Sequence, residues 1–214
     1  MLKTLIYKEL FLTSQIPMFI FMAFGAILLI PAYPYYVIFF FGCLGLFFTF
    51  QSARENKDTF YTAALPISKS DVVKARCLLV VIVQIGQILI SIPFAVLRIY
   101  ITPGGNVAGI EANPAFYGFV LIMLALFNAV FMINFYKTAY YVGRSFLIAM
   151  VPLWIYIIIM EALVHFPTFR FLDTVDPHMM VAQLPILGAG ILIYIVGMVI
   201  TFKISSSEFD KVDL

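Results

Sequence analysis

Charge is scarce in this chain of 214 residues: Asp, Glu, Lys and Arg together make up 11% of it. A soluble domain carries about 25%. So few charged groups cannot cover a surface in water, and a soluble globular enzyme is excluded. Cysteine is scarcer still, and the two present, Cys43 and Cys77, are too few for a disulfide scaffold. Histidine also numbers two, His165 and His178, neither with a second ligand at metal-binding spacing. Absent altogether are an Asn-x-Ser/Thr sequon, a His-Glu-x-x-His metal motif and a Walker-type phosphate loop. The glycines of Gly104-Gly105-Asn106-Val107-Ala108-Gly109 have the spacing of such a loop, but Ile110-Glu111 stands where Lys-Ser/Thr is required, so the segment reads as a turn.

What fills the chain instead is hydrocarbon. Hydrophobic residues make up 64% and aromatics 17%, with a mean hydropathy of +1.06. Aromatic richness and a net charge of only +2 exclude disorder. The fold class is therefore all-α integral membrane, because a segment in lipid must satisfy its own backbone. Stretches such as Phe19-Ile20-Phe21-Met22-Ala23-Phe24 lack the alternation of a membrane β-barrel strand.

The chain reads as a single transmembrane domain over 1–214, with six spans at about 16–33, 35–51, 77–101, 116–136, 146–165 and 181–202. The first two are separated only by Pro31-Ala32-Tyr33-Pro34, and one long kinked helix is the alternative. Charge placement favours two. With six spans, eleven of the thirteen Lys and Arg residues fall on one side, leaving Arg98 and Arg170 opposite. By the positive-inside rule the protein is multi-pass in the cell membrane with both termini cytoplasmic. The break is also a poor match to a cleavage site, so no cleaved leader is expected. Residues 1–15 read as an interfacial amphipathic helix, with Leu2, Leu5, Ile6 and Leu10 at helical spacing; a basic N-terminal stub is the alternative.

The cytoplasmic segment 52–76 stands out. Over Ala53 to Leu65, the residues Ala53, Phe60, Tyr61, Ala64 and Leu65 share one helical side, and Glu55, Asp58, Thr59 and Thr62 the other. Arg54 and Asp58 can pair at i, i+4. Pro66 stops that helix, and Ser68-Lys69-Ser70-Asp71 has capping-box spacing for the next. A solvated charged loop is the alternative.

The run Glu55-Asn56-Lys57-Asp58-Thr59-Phe60-Tyr61-Thr62-Ala63-Ala64-Leu65-Pro66-Ile67-Ser68-Lys69-Ser70-Asp71-Val72-Val73-Lys74-Ala75-Arg76 resembles the first cytoplasmic loop of small permeases of the type-2 ABC exporter family. Within that family the chain is most similar to compact permeases that export amphipathic or antimicrobial peptides, phenol-soluble modulins among them. The resemblance implies a coupling helix between spans 2 and 3, with Glu55, Asp58, Phe60, Tyr61 and Thr62 facing an ATP-binding cassette subunit. It also implies a second permease, identical or similar, and outward movement of an amphipathic peptide. ATP and Mg would sit on the partner ATPase, with no cofactor and no nucleic acid bound by this chain.

Polar residues within spans suggest function by default, although many simply bridge helices. Gln84, Gln87, Ser91 and Arg98 share one face of the third span. With Glu161 of the fifth span paired to Arg98 at the outer end, they are candidates for the pathway or dimer interface. Bridging within one subunit is the alternative. Asn128 and Asn134 read as helix contacts. A six-span intramembrane enzyme or a channel is the competing class. A serine protease of that kind needs Gly-x-Ser in a span, and none lies within the spans as drawn; a channel is disfavoured by the absence of charge at any span centre.

Overall fold

A computed structural model describes residues 2–30, 32–101 and 105–213. Among them no strand occurs, and five helices are long and apolar enough to cross a membrane: α3 (Tyr36–Glu55), α5 (Lys69–Ile101), α6 (Pro114–Tyr136), α7 (Val142–Val164) and α8 (Pro177–Asp210). A bent pair brings the number to as many as six. Its first arm is α1 (Leu2–Lys8) with a π-helical turn, Glu9–Thr13; its second is α2 (Ile16–Met22) with a 3-10 extension, Ala23–Leu29. The arms meet at 93°. Pro17 in the first turn of α2 makes the corner, since it fits a helix start but removes a donor from anything continuing through it. Of the Pro31–Pro34 break, Pro31 lies outside the described residues; Ala32 takes a left-handed φ of 56°.

Local sequence sets the remaining boundaries. Asn113 and Pro114 open α6, the Asn113 side chain accepting from Phe116 N at 2.9 Å. Asp176 and Pro177 open α8 in the same way. Ser68 accepts from Asp71 N at 3.0 Å and donates its hydroxyl to the Asp71 carboxylate at 2.8 Å, so the expected cap forms with a short acid closing it. The α5 helix then runs 33 residues. At about 1.5 Å per residue this is about 50 Å, well beyond a hydrocarbon core of about 30 Å.

The centre of the bundle is α6, which packs along α8 through bare backbone. A Cβ on Gly118 would lie 2.6 Å from Ile186 O, and one on Gly190 would meet Gly118 O, a small-residue contact that lets two membrane helices touch. Phe116, Phe127, Phe131 and Phe135 fill the other side of α6, against Tyr36, Phe50 and Phe146. Most of the remaining α7 and α8 surface is exposed aliphatic, as lipid-facing helices require.

Both ends of the chain lie on one face. Glu9 meets Arg76 at the start of α5, and Lys69 donates to Val212 O at 2.6 Å. The face opposite carries residues 105–113 and a 3-10 helix, Pro167–Asp173.

Candidate functional site

The segment between α3 and α5 differs from the continuous helix expected over 53–64. Helix α3 runs on to Glu55, and Lys57 then adopts a left-handed φ of 54°. A separate short helix, α4 (Asp58–Ala63), follows. The break separates Arg54 from Asp58, so the i, i+4 pair does not form; Arg54 lies 3.5 Å from Glu55 and over the Tyr140 ring.

Helix α4 is amphipathic, with the polar side turned inward. Thr59 and Thr62 are buried, whereas Phe60, Tyr61 and Leu65 are 47%, 63% and 57% exposed. The inward polar side is held by charges that sequence reasoning did not single out. Asp58 accepts from Lys8 at 2.8 Å and Arg76 at 3.0 Å, and Thr62 accepts from Lys8 at 3.0 Å. Arg76 in turn binds Glu9 at 2.6 Å and lies 4.9 Å from the Phe50 ring centroid. Glu9 and Arg76 are 1% and 2% exposed, so this is a desolvated network. Such a network is costly to break from one side. One signal for it lay in the sequence: Glu9 is the sole acid before the first span, set directly against Leu10-Phe11-Leu12.

Glu55 stands apart from the others. It ends α3, is largely exposed and accepts from Gln51 at 2.8 Å. Phe60 and Tyr61 meet edge to face with ring centroids 5.8 Å apart, leaving an aromatic ridge on the surface.

The polar stripe of α5 lies inside the subunit. Gln84 and Asn128 exchange two amide hydrogen bonds at 2.8 Å, and Tyr194 donates to Gln84 at 2.7 Å. Three helices, α5, α6 and α8, are thereby joined. Gln87 donates to Phe21 O at 3.2 Å and Ile38 O at 2.9 Å, reaching Phe21 where α2 gives way to a 3-10 turn. Gly42 makes room for it, since a Cβ there would collide with the Gln87 amide. Ser91 meets the Tyr117 hydroxyl at 3.0 Å. All these contacts favour a bridge within one subunit.

The expected Arg98–Glu161 pair is replaced. Arg98 binds Glu111 at 3.1 Å and stacks over Tyr35. Glu161 instead accepts from Ile110 N at 3.1 Å, and Asp173 accepts from Glu111 N at 2.8 Å. The reason is geometric: residues 105–113 fold back over the bundle and bring Glu111 onto Arg98. Gly109 lets the chain pass Glu161 where any side chain would clash. Burial raises the Glu111 carboxyl above the usual range, opposed by Arg98, and burial likewise raises Asp173.

Among the described residues no group of three or more His, Cys, Asp and Glu could hold a metal. Helix α7 begins four residues earlier than the expected span and takes in Gly143-Arg144-Ser145, so a Gly-x-Ser triplet does lie in a helix. Ser145 donates to Tyr141 O at 2.9 Å. His165 is at the far end of the same helix, about 30 Å away at 1.5 Å per residue, so the two form no catalytic pair.

An all-helical bundle with polar staples at both ends and lipid-facing flanks defines a multi-pass membrane protein. Residues 4–206 match the family described as ABC-2 family transporter protein, and the chain belongs to that family. No curated protein and no solved structure matches it. Membership makes the chain a transport membrane subunit, of a family that implies partnership with an ATP-binding cassette subunit.

Proposed function

We propose that this chain is the permease of an ATP-driven exporter of small amphipathic or antimicrobial peptides, in which α4 is the coupling helix. On this reading the chain has six spans, with α2 and its 3-10 extension as the first, and both termini and α4 are cytoplasmic. A second permease, identical or similar, completes the pathway, and a separate ATPase carries ATP and Mg. The observation that carries this reading is the inverted amphipathicity of α4: its polar side is bound to its own chain, while Phe60, Tyr61 and Leu65 face outward. Aromatic anchors in a partner's groove usually dominate an interface. Movement of α4 reaches the membrane through Asp58, whose partners are Arg76 on α5 and Lys8 on α1. The apolar side of such a cargo would lie in the aliphatic groove of about 550 Å³ between α5, α6 and α8, which bears the Tyr117 and Tyr194 rings.

The test is Phe60→Ala and Tyr61→Ala, scored for permease abundance, co-purified ATPase and peptide export together. Abundance should hold while ATPase association falls about 30-fold or more, the loss expected of an interface anchor. Normal association and export in both variants would overturn the coupling role. Asp58→Lys is no equivalent probe, because it sets a third cation against Lys8 and Arg76 and lowers the permease itself.

A further inference from the structure

The geometry points to a binding site for the headgroup phosphate of an anionic phospholipid between the end of α6 and the start of α7. A cavity of about 180 Å³ there is lined by Asn134, Lys137, Thr138, Tyr141, Arg144 and Ile148. It lies on the face that carries both termini. Lys137 and Arg144 are exposed, and neither has a carboxylate within 4.0 Å among the described residues. The acid near Lys137, Glu208, is taken up by Lys211 at 2.6 Å. Elsewhere on this face Lys8, Arg54 and Arg76 each hold a carboxylate, Lys69 reaches the Val212 carbonyl, and Lys3, Lys57, Lys74 and Lys203 stand singly without an acid partner among the described residues. What sets this cavity apart is that two cations without a carboxylate, Lys137 and Arg144, line it together.

The backbone adds to the same field. No side chain caps the N-terminus of α7; Val142 N is bound to Tyr140 O at 2.9 Å, and the Gly143 and Arg144 amides remain at the positive end of the helix dipole beside the cavity. A Cβ on Gly143 would meet nothing within 4 Å, so the space before those amides is open. Thr138 cannot serve as the cap, because its hydroxyl already accepts from the Tyr140 and Tyr141 amides at 3.3 Å. A phosphodiester monoanion, with two charged donors and backbone amides around it, satisfies all of these groups.

Depth selects the lipid over a soluble phosphate. Ile148 lines the cavity, and Leu147, Val151, Ile155 and Ile158 continue from it as an exposed aliphatic strip along α7. A headgroup on Lys137 and Arg144 would lay its acyl chains on that strip. Basic pockets between spans at the boundary bind anionic headgroups in this manner.

The experiment compares the full chain in nanodiscs of phosphatidylcholine with discs also containing phosphatidylglycerol. Readouts are the melting midpoint and the phosphatidylglycerol retained in native mass spectrometry. The wild type should melt higher with phosphatidylglycerol and retain it at least about tenfold more than Lys137→Gln/Arg144→Gln, which should lose the shift. Arg54→Gln/Lys57→Gln removes the same charge elsewhere on the face and should keep it. Equal loss in both double variants, or no shift in the wild type, would overturn the site. Inorganic phosphate reproducing the shift in phosphatidylcholine discs would overturn the lipid as its source. Retention unchanged while Lys137→Gln/Arg144→Gln alone loses a dimer would assign the cavity to a second copy and also overturn it.

Discussion

The two ends of this bundle use charge in different ways. On the face with both termini, Lys8, Glu9, Asp58 and Arg76 come from three separate elements, and the Glu9–Arg76 contact joins residues 67 apart in the chain. On the opposite face, Arg98 and Glu111 are 13 apart, and the other carboxylates, Glu161 and Asp173, accept backbone amides of the same loop. One cluster holds distant elements together and anchors a helix whose far side is bare. The other pins loops onto the bundle. The first ties elements far apart in the chain, and the second keeps a short connection closed.

The largest expected effect comes from breaking the first cluster from one side. Glu9→Gln takes from Arg76 its 2.6 Å partner and leaves it only the partly exposed Asp58 carboxylate, a loss bounded by the cost of breaking a buried pair outright, about 3–5 kcal/mol. Membrane abundance and melting midpoint in detergent should both fall. Glu111→Gln should fall less, because the loss is confined to one loop. Equal losses would erase the distinction between a long-range tie and a local staple.

Next in size is the seam between the two ends. Gln84→Leu leaves the Asn128 amide and the Tyr194 hydroxyl without their buried partner, a cost of about 1–3 kcal/mol per unsatisfied group. Thermal melting should show it, with α4 and ATPase association unaffected per surviving molecule. Selective loss of association would mean that the seam belongs to the transmission path.

The sequence showed much of the frame and little of the wiring, for physical reasons. Apolar runs, prolines and caps act locally, so α5, α6 and α8 were legible, as was the stop after Leu65. The amphipathic face of Ala53 to Leu65 was legible too, but the inward turn of its polar side was not. Apolar-inward is the rule for a soluble helix, whereas here Lys8 and Arg76 supply polar partners on the inside and the surface side is left for another protein or for lipid. The Arg98–Glu161 expectation failed because depth alone matched the two groups; the partner, Glu111, came from a loop whose fold depends on Gly109 and on backbone amides, which carry no sequence label. Asp58 was legible as a charged site, and Glu9 was not, since one acid near basic residues reads as ordinary solvated charge until burial is known.

The smallest expected effect is one of pH on the opposite face. Burial raises both Glu111 and Asp173 above the ordinary carboxylate range, with Arg98 opposing the rise at Glu111 and His165 at Asp173. A carboxyl raised in the folded state binds protons more readily there than when the loop is open. Its contribution to closure is therefore fully present below the ordinary carboxylate pKa and is lost as pH rises through the raised value. Asp173 can still accept the Glu111 amide at 2.8 Å when protonated, and Glu161 holds Ile110 beside it. Amide exchange over residues 105–113, corrected for intrinsic rates, should thus slow as pH falls from neutral toward the ordinary carboxylate range. Asp173→Asn, which fixes the neutral form, should flatten part of that dependence while keeping an acceptor in place. Faster exchange on acidification would mean that the charged Arg98–Glu111 pair, rather than the amide-accepting carboxyls, holds the loop, and the opposite face would then work by ion pairing much as the terminal-bearing face does.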